Sequence, residues 1–119
     1  MDLDSFREYC LQKKGVVEGL PFGPDALVFK VMGKMFALIS LSASELEVSL
    51  KNTPEKNMEL RRDYLGIQGA FHMNKKHWSM FLMEESIPIK TLLGATDDSY
   101  SLVVKGLSKA LTAELETIQ

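Results

Sequence analysis

The chain has one cysteine, Cys10, in 119 residues. No intrachain disulfide can form, so stability has to come from buried apolar surface. Cys10 lies among Leu3, Phe6 and Leu11 in a helical pattern, where a free thiol behaves as a small apolar residue. Lys13 and Lys14 lie beyond it and no helix N-terminus is near. A packed, unreactive thiol in a reducing cytoplasm is the expectation. Long hydrophobic runs are also missing. The longest, "MFALISL" from Met35 to Leu41, is far shorter than the roughly 20 residues a spanning helix needs. The opening "MDLDSFREYC" begins on acids and lacks the basic and apolar regions of a secretory signal. A cytoplasmic protein without membrane contact is expected.

Net positive charge is lacking too. Fourteen Lys and Arg face 16 Asp and Glu, for a formal charge of -2. Nucleic acid and anionic membrane weakly repel such a chain unless a local basic patch outweighs the global field. There is no internal repeat, linker or low-complexity stretch. The length suits one domain over residues 1–119, and an apolar content of 45% argues against disorder.

What is present reads as alternating helices and strands. Asp2 or Asp4 caps a first helix over about 4–13, with Leu3, Phe6 and Cys10 on one stripe and Gly15 as its stop. "VVEGLPFGPD" (16–25) reads as an irregular connection. "LVFKVM" and "MFALISL" are strands joined by Gly33-Lys34 in a type II′ hairpin. "LEVSLK" (46–51) alternates, with Leu46, Val48 and Leu50 on one side and Glu47, Ser49 and Lys51 on the other. Thr53 and Pro54 open a helix that Gly66 or Gly69 stops. "WSMFLM" (78–83) is a strand, with Trp78, Met80 and Leu82 opposite Ser79, Phe81 and Met83; Phe71 to Met73 pairs with it across an Asn74–Lys76 turn. A short helix follows Ser86 and Pro88 and breaks at Gly94; Asp97 then caps a longer one carrying Tyr100, Val103, Val104, Leu107 and Leu111, weakened at Gly106. This order predicts an α+β fold, an antiparallel sheet with its helices on one face.

Chemistry concentrates in "HMNKKHW", residues 72–78, which holds both histidines and the only tryptophan. A metal site is not expected. His72 and His77 have no acid between them, Glu84 and Glu85 lie beyond the strand, and Zn sites need three or four convergent ligands. An enzyme is not expected either, because no nucleophile elbow or acid–base pair is visible near His77 and Ser79. Charge is uneven, however. Residues 51–78 contain Lys51, Lys56, Arg61, Arg62, Lys75 and Lys76 against Glu55, Glu59 and Asp63. Asn74, Lys75 and Lys76 suit phosphate oxygens, and His77 or Trp78 suits base stacking. Lys34 marks a second basic hairpin tip, and Arg62 can grip phosphate while one of the two arginines pairs with Glu59 or Asp63. Against this, wet hairpin tips collect lysines, Asn74 suits a turn, and Trp78, Met35 and Met80 suit a core.

The stretches "EGLPFGPDALVFKVMGKMFALI", "LKNTPE", "LRRDYLGIQGAFHMNKKHW" and "SYSLVVKGL" resemble the MmcQ/YjbR family of small bacterial proteins. They come in the family's order, from Glu18 to about Leu107. The resemblance implies a two-layer α/β sandwich of α-β(3)-α-β(2)-α type, similar to secretion chaperones. It also implies the family's DNA-binding label, which rests partly on analogy of fold. The leading expectation is weak DNA binding by a monomer without cofactor, through Lys34, Arg62, Asn74, Lys75, Lys76 and His77. The alternative is a protein- or peptide-binding module using a sheet face left without helices, with Phe29, Phe36 or Phe81 exposed there. A third reading is a small-molecule pocket around Phe22, His77 and Trp78.

Overall fold

Asp2, rather than Asp4, caps the first helix, its side chain accepting from Ser5 N at 2.8 Å. The computed structural model describes residues 1–84 and 86–118; Glu85, one of the carboxylates weighed as a metal ligand, lies outside them. Helix α1 runs over Leu3–Leu11 and buries Phe6 and Cys10. Strands β1 (Val16–Gly19), β2 (Ala26–Val31), β3 (Lys34–Ser40) and β4 (Glu47–Lys51) follow, then helix α2 (Pro54–Asp63). Strands β5 (Ile67–Gly69) and β6 (Trp78–Leu82) precede helices α3 (Ile89–Lys105) and α4 (Lys109–Thr117). The six strands form one sheet in the order β1-β2-β3-β4-β6-β5, and every neighbouring pair is antiparallel.

The two-layer α+β architecture is as expected, with one strand more than the sequence suggested. Residues 16–19, expected as irregular chain, pair with β2 from Val16↔Val31 to Gly19↔Val28. Only four residues long and half exposed, this edge strand gives too short a pattern to recognise. The β2–β3 link also differs from the expected type II′ turn. Val31 pairs with Lys34, and the two linking residues are Met32 and Gly33. Both have positive φ, 49° and 82°, which is the type I′ geometry that matches strand twist. Lys34 therefore begins β3 instead of sitting at the tip.

A β-bulge shapes the centre of the sheet. The register passes from Phe29↔Ala37 to Lys30↔Met35, leaving Phe36 as the extra residue. Both Phe36 and Ala37 are then fully buried, and the ladder loses a partner at the bulge. Ser99 of α3 supplies one. Its Oγ donates to Phe36 O at 2.6 Å and accepts from Lys51 N at 2.9 Å.

Helix α3 runs unbroken through Gly94 and is not divided there as expected. Leu92, Ala95, Ser99 and Val103 are buried along one side, and that burial outweighs the roughly 1 kcal/mol that a helical Gly costs. Asp97 is consequently mid-helix. It does not cap; it accepts from Tyr9 Oη at 2.7 Å and from Lys13 Nζ, tying α1 to α3. The chain breaks at Gly106, and Ser108 caps α4 by accepting from Leu111 N at 3.1 Å. Helix α2 is capped by Thr53 as the sequence indicates, but ends at Tyr64, whose backbone is extended, before either candidate glycine.

All four helices contribute to the core on one side of the sheet. Phe6, Leu60, Leu92 and Leu115 join Phe29, Phe36, Val48 and Phe81 in one buried cluster. The aromatic residues expected on a bare sheet face, Phe29, Phe36 and Phe81, are thus on the helix side and at most 1% exposed. Alternation fixes which residues share a face, but not which face the helices cover. Among the described residues no helix is long and apolar enough to cross a membrane.

Candidate functional site: a groove on the helix-free sheet face

The residues that alternate with the core side chains point away from the helices. One cross-strand row is Val28, Leu38, Ser49, Met80 and Gln68, taken from paired positions on β2, β3, β4, β6 and β5. A cavity of about 620 Å³ lies over this face. Met35, Leu38, Met80 and Trp78 form much of its lining. Phe22, from the β1–β2 connection, and Phe71, from the β5–β6 connection, stand over it and are 69% and 73% exposed. Trp78 is only half-buried and lines the groove, so it is not the core anchor expected of it. Met35 and Met80, read as core, also face the groove; Met32 and Met83 do pack against the core.

The floor and rim are polar at defined points. Ser49 is 8% exposed and lines the cavity. Among the described residues, Asp25 and Glu47 are the acidic ones lining the cavity, and no lysine or arginine lines it. They sit at one end of the sheet, where Ala26 pairs with Ser40 and Glu47 with Leu82. The opposite end carries Lys34, Lys51 and Trp78, which line a second hollow of about 420 Å³. Met35 and Trp78 line both hollows. From Glu47 to Lys51 the groove spans about 13 Å at strand rise.

The connection 70–77 walls one side of the groove and is held from beneath by α2. Asn57, 1% exposed, donates through Nδ2 to Asn52 O at 3.2 Å and Lys76 O at 2.9 Å. Its Oδ1 accepts from Ser79 Oγ at 2.8 Å. Arg61 donates to Ser79 Oγ at 3.0 Å, to Trp78 O at 2.7 Å and to Lys75 O. Burial lowers the pKa of the Arg61 guanidinium. A guanidinium fork facing carbonyls in place of a carboxylate is a structural clamp. At the top of the loop His72 has φ 62°, and its ring lies 4.1 Å from that of Phe71.

The expected hairpin partner of β6 was Phe71 to Met73. The pairing segment is instead Ile67–Gly69, which frees 70–77 to form successive turns. Asn74 is the turn residue among them: its Oδ1 accepts from Lys76 N at 3.0 Å, and its carbonyl accepts from Trp78 N at 2.9 Å. Lys75 and Lys76 are exposed, but the stem of Lys75 lies over Gly69, where a Cβ would meet its Cγ at 3.0 Å. His77 is half-buried, and its carbonyl accepts from Asn52 N at 2.8 Å. Lys34 is exposed at the same end of the sheet. Arg62 is on α2, paired with the adjacent Asp63 at 3.0 Å, and Lys56 is paired with Glu59 at 3.4 Å. So Lys34, Asn74, Lys75, Lys76 and His77 gather at one end of the sheet, while Arg62 is engaged elsewhere. Among the described residues no three His, Cys, Asp or Glu side chains come together as a metal site.

Sequence reasoning missed Asn57, because a lone Asn within a polar helix carries no signal of burial, and it weighed Ser79 only as a nucleophile beside His77. It also missed Leu38, Ser49, Asp25 and Glu47. Alternation in β4 had already separated Ser49 and Glu47 from the core positions; what it lacked was the loop that turns that face into a cavity.

The chain belongs to the YjbR family, whose family model matches residues 11–102. That span holds every groove residue named above. The chain is 40% identical over 89 residues to the uncharacterised protein YbdF of Escherichia coli O157:H7, covering 75% of this chain and 73% of that one. It is 29% identical over 104 residues to the uncharacterised protein YjbR of Escherichia coli K12, covering 87% and 88%. Among solved structures, the Deinococcus radiodurans protein DR2400, described with a DUF419 domain, superposes with a TM-score of 0.89 at 35% identity over 96% of this chain and 87% of that one. A Pseudomonas syringae protein superposes at 0.71 with 28% identity, covering 86% and 98%.

Proposed function

We propose that the protein is a non-catalytic binding module, monomeric and cytoplasmic, whose ligand is a compact apolar molecule seated on the helix-free face of the sheet. The observation that carries this reading is the cavity of about 620 Å³ lined by Met35, Leu38, Met80 and Trp78. Ligand pockets of this kind run from about 300 to 1,000 Å³, mostly apolar with a few placed polar groups. Ser49 supplies such a group at the floor. Met side chains adapt to varied shapes, and Phe22 and Phe71 approach from opposite ends of the sheet to cover a bound ring. The residues read for a pocket were Phe22, His77 and Trp78; Phe22 and Trp78 line it, and the histidine that does so is His72.

The test is a titration of the ¹⁵N-labelled protein with 1-naphthaleneethanol, a neutral apolar probe. Saturable shifts confined to Met35, Leu38, Ser49 and residues 71–80 are expected, and Ser49→Phe, which fills the floor, should abolish them. Shifts spread over the helices, or none at millimolar probe, would remove the reading and leave the sheet face for a protein partner.

A second reading, weak DNA binding, draws on one specific observation. The β2–β3 and β5–β6 connections lie at the same end of the sheet, about 14 Å apart at ordinary strand spacing, with Lys34, Lys51, Lys75 and Lys76 around them. Lys56 and Arg62 are ion-paired and Arg61 is committed to the loop, so the free positive charge is smaller than the sequence suggests. Phosphate contact by the remaining lysines would give duplex binding that weakens with salt. Fluorescence anisotropy at low and moderate salt, with Lys75→Ala/Lys76→Ala beside the native protein, distinguishes it; salt-insensitive anisotropy would dismiss it.

A further inference from the structure

We infer that the groove selects a ligand that joins an apolar aromatic body to a protonated amine, with the amine at the Asp25–Glu47 end. This rests on the reading of the groove as a ligand seat and adds the ligand's charge and direction. The charge pattern is the first argument. Asp25 and Glu47 line the cavity and neither has an ion-pair partner among the described residues. Two free carboxylates beside an apolar surface favour a cation and disfavour an anion, and the preference grows as the ligand displaces water between them.

The second argument is the floor. Ser49 is 8% exposed, on the same face of β4 as Glu47 and two residues along, and it lines the cavity. A hydroxyl at that place can accept a hydrogen bond from an ammonium group. The third is the aromatic lining. Phe22 extends from the segment that precedes Asp25, so a ring face and a carboxylate are offered together, the combination that holds organic cations. The other end of the groove opposes this charge: Lys34 and Lys51 line the adjoining hollow and repel an amine, which fixes the ligand's direction.

Isothermal titration calorimetry at low ionic strength with three probes sharing one ring system tests the inference. They are 2-(1-naphthyl)ethylamine, 1-naphthaleneethanol and 1-naphthaleneacetate, which differ chiefly in charge. The amine should bind at least about five-fold more tightly than the alcohol, as expected for one charge pair at the surface, and the acetate most weakly. Asp25→Asn/Glu47→Gln should remove the amine's advantage over the alcohol. Added salt should weaken the amine alone. Equal binding of amine and alcohol, or equal loss of both in the double variant, would overturn the charge inference while leaving the seat intact. No binding of either the amine or the alcohol, or binding of all probes that survives Ser49→Phe, would overturn the seat and the inference together.

Discussion

The Ser79 hydroxyl donates to Asn57 Oδ1 at 2.8 Å, and through this pair helix α2 grips the strand that carries the groove's tryptophan. Asn57 also holds Asn52 O and Lys76 O. Asn57→Ala would leave those two carbonyls and one side of Ser79 without partners. A buried polar group left unpaired costs about 1–3 kcal/mol, so a loss of about 2 kcal/mol or more is expected in urea denaturation. An effect under about 0.5 kcal/mol would show that the network contributes little.

Arg61 and Arg62 are neighbours with opposite consequences. Arg61 forks between Ser79 Oγ and the Trp78 and Lys75 carbonyls, a geometry that a point-like ammonium cannot reproduce. Arg61→Lys should speed amide exchange at His77 and Trp78 several-fold and loosen the groove wall. Arg62 pairs with Asp63 in solvent, where an ion pair contributes little. Arg62→Ala should change neither exchange nor stability by much.

Gly15 has φ +74°, and a Cβ there would meet Leu115 Cδ1 at 2.6 Å. Gly15→Ala combines backbone strain with a clash against α4. It should destabilise by more than about 1 kcal/mol and reduce helical signal from the C-terminal turn, measured by thermal unfolding and circular dichroism.

Cys10 is fully buried, and that burial pushes its thiol from 9.0 up to about 12. Between those values the unfolded chain sheds the thiol proton while the folded protein keeps it, so unfolding gains as pH rises. The stabilisation is intact below about pH 9 and is lost towards pH 12, with a slope of at most about 1.4 kcal/mol per pH unit. Denaturation midpoints of the native protein should fall between pH 9 and 10 more steeply than those of Cys10→Ala. Identical slopes would contradict the assignment. Thiol-reactive dye should label the folded protein slowly.

Much of the fold was legible in the sequence because its signals are local. Thr53-Pro54 marks a helix start through capping, and the alternation in 46–51 and 78–83 marks half-buried strands. The departures arise where tertiary contacts decide. Gly94 does not break α3 because Leu92 and Ala95 are already buried against the sheet. Asp97, a good cap by type, is claimed by Tyr9 of α1 and by Lys13 just beyond it, more than eighty residues away. Met32 takes a positive φ that its side chain does not advertise. The groove was legible in its parts, since Ser49 and Trp78 were placed on strand faces and Phe22 in a loop. Its assembly depends on the chain between Gly69 and Trp78 folding back over the sheet, a feature set by Asn57 and Arg61 from another element.

Trp78 is the chain's only tryptophan and lines the groove, so its fluorescence reports the site directly. The most direct measurement is energy transfer from Trp78 to the neutral dye N-phenyl-1-naphthylamine during titration. The account predicts saturable quenching of Trp78 with sensitised dye emission at one dye per chain, lost in Ser49→Phe with the fold intact. Unchanged Trp78 emission at saturating dye, or transfer undiminished in Ser49→Phe, would contradict it.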